Sequence, residues 1–217
     1  MDCKLCSSAN VIPLGSNGTR TFHFCPVCEL IFVPSDEWLS PEEEKLRYAN
    51  HENSADNPEY VQYLTDISRK VDRIPINAPR ILDFGSGPEY VLTRVLRKRG
   101  FACEPYDPVY DLGKEQLSSK FDIVVICETI EHVRDIQKEL PLLQRVCNPK
   151  GYIYIHTELY PRKEDFLRWW YALDTTHINF FNDNAIVALA RLLKRGIFYT
   201  NNKNEVIFGP CTCSDGK

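Results

Sequence analysis

The sequence predicts an α/β protein: a mainly parallel sheet with helices on both faces and a C-terminal β-hairpin, preceded by a small cysteine ribbon and linking helices. Three observations carry this expectation. From Arg80 onward, short apolar runs alternate with amphipathic helical patterns; two β-rich runs joined by a polar "NNKN" follow the last helix; and two C-x-x-C pairs lie within the first 28 residues.

Composition bounds the remaining choices. The chain has 217 residues, 43% hydrophobic and 26% charged, which suits one sizeable core with a small appendage and argues against disorder. No run approaches the roughly 18 apolar residues of a membrane helix, and the start, "MDCKLCSSAN", lacks the basic and apolar regions of a secretory signal. The expectation is a cytoplasmic protein with no membrane contact. In that reducing compartment the nine cysteines read as metal ligands, core residues or free thiols rather than a disulfide framework. A net charge of −4 has the wrong sign for broad phosphate neutralisation, so nucleic acid is the less favoured partner and a small molecule the favoured one. The basic clusters "RVLRKRG" and "RLLKRG" each precede a glycine at a helix end, where cations and glycine are favoured for structural reasons.

Residues 1–34 form the first expected unit. Cys3 and Cys6 precede the turn region "LGSNGTR", and Cys25 and Cys28 sit in "FHFCPVCELIFVP". Two such knuckles complete a tetrahedral zinc site with four thiolates and no open position, which makes the zinc structural and the segment a zinc ribbon. His23 reads as a neighbour of that site. Residues 35–78 read as a helical linker or cap: "SPEEEKLRYA" has a Ser-Pro-Glu helix start, and Val61, Leu64, Ile67, Val71 and Ile74 recur at helical spacing. Tyr48, Tyr60 and Tyr63 either line a pocket or pack the core.

Residues 79–209 form the main domain. "RILDF", "FACEPYD", "FDIVVIC" and "GYIYIHT" are strands, "YVLTRVLRKRG", "DIQKELPLLQRVC" and "NDNAIVALARLLKRG" are helices, and Asn182 or Asp183 caps the last of these. Residues 210–217 read as a flexible tail with Cys211 and Cys213 as free thiols. In such a sheet the ligand lies beyond the carboxyl ends of the strands.

"ILDFGSGPEY" ends a strand there. Gly85 and Gly87 fit the start of a dinucleotide fingerprint, but Tyr90 stands where the third glycine belongs. Asp83 and Glu89 bracket the turn and Pro88 removes a backbone donor, which makes a poor seat for pyrophosphate and a good one for a cation. S-adenosylmethionine is cationic and carries no phosphate. Asp107, ending the next strand about 20 residues later, suits a nucleoside's ribose hydroxyls, or else serves its own Asp-Pro turn.

"ILDFGSGPEY", "YDP", "FDIVVICETIEHV" and "VCNPKGYIYI" together resemble the ordered motifs of class I S-adenosylmethionine-dependent methyltransferases, near the ubiquinone-biosynthesis O-methyltransferase-like branch. The resemblance implies a Rossmann-like sheet and methyl transfer. It matches Asp83, Gly85, Ser86 and Gly87 to the cofactor loop, Asp107 to the ribose-binding acid, and Cys127 and Glu128 to the end of the fourth strand beside the cofactor's methionine part. Glu131 to Val133 match the start of the next helix, and Glu89 departs from the common glycine.

For the chemistry, the long aromatic and charged stretch "ELYPRKEDFLRWWYALDTTHINFF" carries His177, read either as a proton acceptor or as a tie between loop and strand ends. His132 and His156 are lesser candidates. Trp169, Trp170 and Tyr171 read as pocket wall or lid packing, and Arg162, Lys163 and Arg168 as anion ligands or a solvated face. The leading expectation is methyl transfer to a small molecule. The competing ones are an RNA- or protein-modifying methyltransferase docked by the ribbon, and a non-catalytic interaction protein.

Overall fold

The computed structural model describes residues 1–49 and 53–211; Cys213 and most of the expected tail lie outside them. The chain opens with β1 (Ile12–Ser16) and β2 (Thr21–Phe24), antiparallel across a turn in which Asn17 Oδ1 accepts from the backbone N–H of Thr19 and Arg20. The short β3 (Ile31–Phe32) pairs with β2. Helix α1 (Pro41–Ala49) starts at a reciprocal cap: Ser40 Oγ accepts from Glu43 N, and the Glu43 carboxylate accepts from Ser40 N. Helix α2 (Pro58–Lys70) is capped by Asn57, whose side chain accepts from Glu59 N and Tyr60 N, and it buries Leu64 and Ile67.

The main sheet then builds as expected: β4 (Arg80–Phe84), α3 (Val91–Lys98), β5 (Ala102–Tyr106), β6 (Phe121–Cys127), α4 (Ile136–Val146) and β7 (Cys147–His156). After a long excursion come β8 (Asn179–Phe180), α5 (Asp183–Leu193), and the hairpin β9 (Gly196–Thr200) and β10 (Glu205–Gly209). Asn182, not Asp183, caps α5, accepting from Ala185 N. The large sheet has the order β5-β4-β6-β7-β10-β9; its first four strands run parallel and β10 is antiparallel to both neighbours. One face packs on α2 and α3 through Leu64, Ile67, Leu92 and Leu96. The other packs on α4 and α5 through Leu140, Leu143, Ile186 and Leu189.

One pairing crosses the boundary expected at residue 34. Strand β8 pairs antiparallel with β3, so the small sheet has the order β1-β2-β3-β8. Phe22, Phe24, Ile31 and Val33 share a core with Tyr160, Phe166, Tyr171, Ala172, Ile178 and Phe180. Thus the cysteine segment and the 158–181 excursion fold against each other. Cys211 is exposed and donates from Sγ to Lys194 O at 3.4 Å. Among the described residues no helix is long and apolar enough to cross a membrane.

Ile123, fully buried in β6, is flanked within the sheet by β4 and β7 and packs in the core under α2 and α3. Ile123→Ala is expected to lower the unfolding free energy by about 2–5 kcal/mol, read in urea at unchanged m-value; a loss below about 0.5 kcal/mol contradicts this packing.

Candidate active site

The turn after β4 is shaped by close backbone approaches. Gly85 has φ 82°, and a Cβ there would lie 2.2 Å from the Thr129 side chain, so only glycine fits. Gly85 N and Ser86 N both donate to Tyr106 O, at 2.8 and 3.1 Å. Gly87 N donates to Asp107 Oδ2 at 2.8 Å, while Asp107 Oδ1 accepts from Val109 N and Tyr110 N. Asp107 therefore makes the turn and also faces the cavity. Burial raises its pKa, against the pull of these three N–H donors.

The two carboxylates that bracket the turn do not both line the cavity. Asp83 is buried behind the cavity, and its Oδ2 accepts from Thr93 N at 3.0 Å and Thr93 Oγ1 at 2.7 Å, fastening β4 to α3. The carboxylate thus supports the turn from behind and is not part of the cavity lining. Desolvation pushes its carboxyl up to about 6, the Thr93 hydrogen bonds opposing this. Glu89 lies on the rim and accepts from Ala55 N at 2.9 Å, tying the segment before α2 to the turn.

Around these groups lies a cavity of about 950 Å³, which suits a nucleoside cofactor together with a second molecule. Gly85, Ser86, Gly87, Asp107, Cys127 and Glu128 line one part of it, and Tyr48, Tyr63, His132, Trp170, Tyr171 and His177 another. Of the cofactor-binding and histidine candidates, only Asp83 and His156 stand outside that lining, and Cys3, Cys6, Cys25 and Cys28 form a separate group. Trp169 instead packs on Tyr171 and Phe166. Arg162 and Arg168 pair with Asp165 on the surface, and Lys163 lies over the Phe24 ring, so none of the three lines the cavity.

The polar network on the far wall was only partly legible. Glu128, at φ 47°, accepts from Tyr63 and Tyr171 hydroxyls at 3.1 and 3.2 Å and sits 2.8 Å from His156 Nδ1. Burial raises the Glu128 pKa, but the His156 hydrogen bond and charge, with Tyr63, carry it below the ordinary carboxylate value. His156 adjoins Glu128 because it ends β7 in register with Cys127 of β6, and neighbouring parallel strands finish side by side. That adjacency was the available signal. Behind them Glu131 is fully buried and accepts from Tyr171 at 2.5 Å and Thr157 at 3.0 Å. Burial, then repulsion from Glu128, raises it well above the ordinary range.

His132 and His177 stack edge to face at 4.8 Å. Each has its Nδ1 against a backbone carbonyl, Thr176 O at 3.0 Å and Tyr171 O at 2.9 Å. A carbonyl only accepts, so both Nδ1 atoms carry the proton and both Nε2 atoms keep a lone pair. Burial, then His132, lowers the His177 pKa to about 4, and burial lowers that of His132 also, so neither is a strong proton acceptor. Ligand atoms of Glu131, His132 and His177 lie within 4.8 Å of one another, the second group of donors able to hold a cation.

The first such group is Cys3, Cys6, Cys25 and Cys28. Their Sγ atoms approach at 3.5 Å (Cys3 to Cys28) and 3.6 Å (Cys6 to Cys25), close to the edge of about 3.8 Å that a tetrahedron with 2.3 Å metal–sulfur bonds requires. His23 is outside the group and stacks on Phe32.

Residues 50–194 match the family described as methyltransferase domain, and the chain belongs to that family. Its fold is the Rossmann-like class I methyltransferase sheet. It is similar to CalO1, a methyltransferase in calicheamicin biosynthesis solved in its SAH-bound form, at 14% identity and a TM-score of 0.51 over 78% of this chain and 58% of that one. It is also similar to TnmH, at 18% identity and a TM-score of 0.50 over 77% of this chain and 60% of that one. The chain thus spans less than two thirds of either structure. No curated protein matches the sequence.

Asp83 gives a pH test of this geometry. An unfolded Asp83 ionises near 3.8 and the native one near 6, so its contribution is complete below the lower value and lost as pH rises through the upper. Asp83→Asn is expected to remove about 2–3 kcal/mol from the fall in unfolding free energy between about pH 4 and 7. An unaltered fall in urea titrations contradicts the assignment.

Proposed function

We propose that this chain transfers the methyl group of S-adenosylmethionine to a small-molecule acceptor. The observation that carries the reading is one cavity holding a double-glycine turn and Asp107 on one side and the Glu128, His132 and His177 cluster on the other. When bound, the cofactor supplies an activated methyl electrophile. Gly85 and Gly87 admit its backbone-proximal part, Asp107 accepts from the ribose hydroxyls, and Cys127 and Glu128 lie at the methionine end. The donor set fits a cation, since Asp107, Glu89 and Glu128 line the space and Pro88 withholds an N–H. Glu89 is held at the rim by Ala55, which leaves the cavity open and weighs against a chain that has lost its chemistry.

The acceptor lies among Tyr63, Trp170, Tyr171, His132 and His177. Neutral imidazoles with fixed tautomers accept a hydrogen bond from its hydroxyl, amine or acidic carbon and orient it toward the methyl group. Arg162, Lys163 and Arg168, the basic groups within the excursion, have partners on the surface and do not line the cavity, which gives an RNA acceptor no support from them. In the same reading the four cysteines hold one structural zinc, and the protein works in the cytoplasm.

Calorimetric titration with S-adenosylhomocysteine is expected to give micromolar binding, which Asp107→Asn weakens about 10- to 100-fold through loss of a charged acceptor. No binding to folded wild-type protein sinks the cofactor reading. Metal analysis is expected to find one zinc per chain, lost in a Cys25→Ser, Cys28→Ser variant; zinc retained by that variant removes the cysteine site.

A further inference from the structure

The wall of the cavity that carries Tyr171 and His177 is hydrogen-bonded to the cysteine segment, whereas the cofactor turn meets that segment only through the shared apolar core in which Phe84 and Tyr106 lie with Cys3, Leu5, Cys25 and Leu30. Arg20, 8% exposed in the β1–β2 turn, donates from its guanidinium to three backbone carbonyls of the excursion: Ala172 at 2.9 Å, Asp174 at 2.5 Å and Thr175 at 3.1 Å. Asn17 adds a donor to Ala172 O at 3.3 Å. The guanidinium also lies over the Phe22 and Phe180 rings, at 5.3 and 5.8 Å. These carbonyls sit between Tyr171, whose own carbonyl fixes the His177 tautomer, and His177, whose N–H donates to Asp174 O.

The second cysteine knuckle grips the ends of the same excursion. Glu29, one residue after Cys28 and at φ 61°, accepts on its carboxylate from Asn182 and Asn184, both at 2.8 Å, and on its carbonyl from the Tyr160 hydroxyl. Between these grips Val33 N donates to Ile178 O at 2.9 Å and β3 pairs with β8. By contrast, the hydrogen bonds of Gly85, Gly87 and Asp107 run to Ser86, Tyr90, Tyr106, Val109, Tyr110, Leu112, Thr129 and one another, all on the main sheet's side.

We propose that the cysteine ribbon is the scaffold of the acceptor half of the active site, with Arg20 as a positioning residue for the loop bearing Tyr171 and His177, so that metal occupancy governs that wall and leaves the cofactor half intact. The proposal rests on the methyl-transfer reading only for what the two halves are called. A knuckle whose thiolates share a metal holds Glu29 at its strained φ. Without the metal, the thiols part, and Glu29 and β3 release the excursion from one side while Arg20 loses its backing.

The test combines hydrogen exchange, resolved along the chain, with calorimetry using S-adenosylhomocysteine as the probe. It compares zinc-loaded wild type, protein stripped by prolonged dialysis against a chelator, Arg20→Met and Arg20→Lys. Stripped protein and Arg20→Met are expected to exchange residues 171–181 about tenfold faster or more, with β4 to β7 unchanged and probe affinity within about threefold of wild type; Arg20→Lys, which keeps the charge but fewer donors, falls between. Exchange in 171–181 that is unchanged overturns the proposal. So does exchange that rises equally in β4 to β7, since the ribbon would then support the whole fold and not one wall. If zinc-loaded wild type fails to bind the probe, the cofactor reading falls, and the exchange pattern alone still decides whether the ribbon holds the loop.

Discussion

The arrangement depends on one constraint: the parallel strands β4, β6 and β7 are buried on both faces, so they can expose polar groups to ligand only where they end. Ile81, Leu82, Ile123, Val124, Val125, Ile153 and Ile155 leave no position along the sheet where an unpaired charge would be tolerated. Gly85, Asp107, Glu128 and His156 follow the last apolar residues of their strands. Neighbouring parallel ends therefore bring together groups far apart in sequence, and Glu128 meets His156 for that reason alone.

The same constraint explains what the sequence made legible. Apolar runs bounded by turns, the Ser-Pro-Glu helix start and the NNKN hairpin translate directly into elements, because each is a local preference that the packing reinforces. The cysteine spacing is equally direct, since each C-x-x-C pair places two thiols together and only the pairing of knuckles is non-local. Side-chain direction is another matter. Asp83 stands beside the glycine turn in sequence, yet its carboxylate points to Thr93 because the strand's alternation turns it toward α3. Arg20 looks like an ordinary turn residue, and nothing local marks the carbonyls it meets about 150 positions later.

The unit boundaries show a related limit. Composition changes sharply at residue 34, which suggests a separate ribbon, but a strand of only Ile31–Phe32 cannot complete a sheet by itself. It takes Asn179–Phe180 as its partner, and the aromatic side chains of both segments close one core. A metal site alone satisfies the thiols; it does not cover Phe22, Phe24 and Ile31. The excursion after β7 does so, and in being held there it presents Tyr171 and His177 to the cavity.

The electrostatics of that cavity follow from burial rather than from the residue types. His177 reads from sequence as a candidate proton acceptor and His132 as a lesser one, yet desolvation keeps both imidazoles uncharged and the buried Glu131 carboxyl protonated to unusually high pH. Such a site is a weak reservoir for protons and a rigid set of acceptors. A sulfonium electrophile needs little more, because its methyl group is already activated and the remaining barrier is largely one of alignment. The backbone carbonyls that fix the two tautomers, both in the loop that Arg20 holds, thus bear on the chemistry as directly as the side chains that touch the cavity.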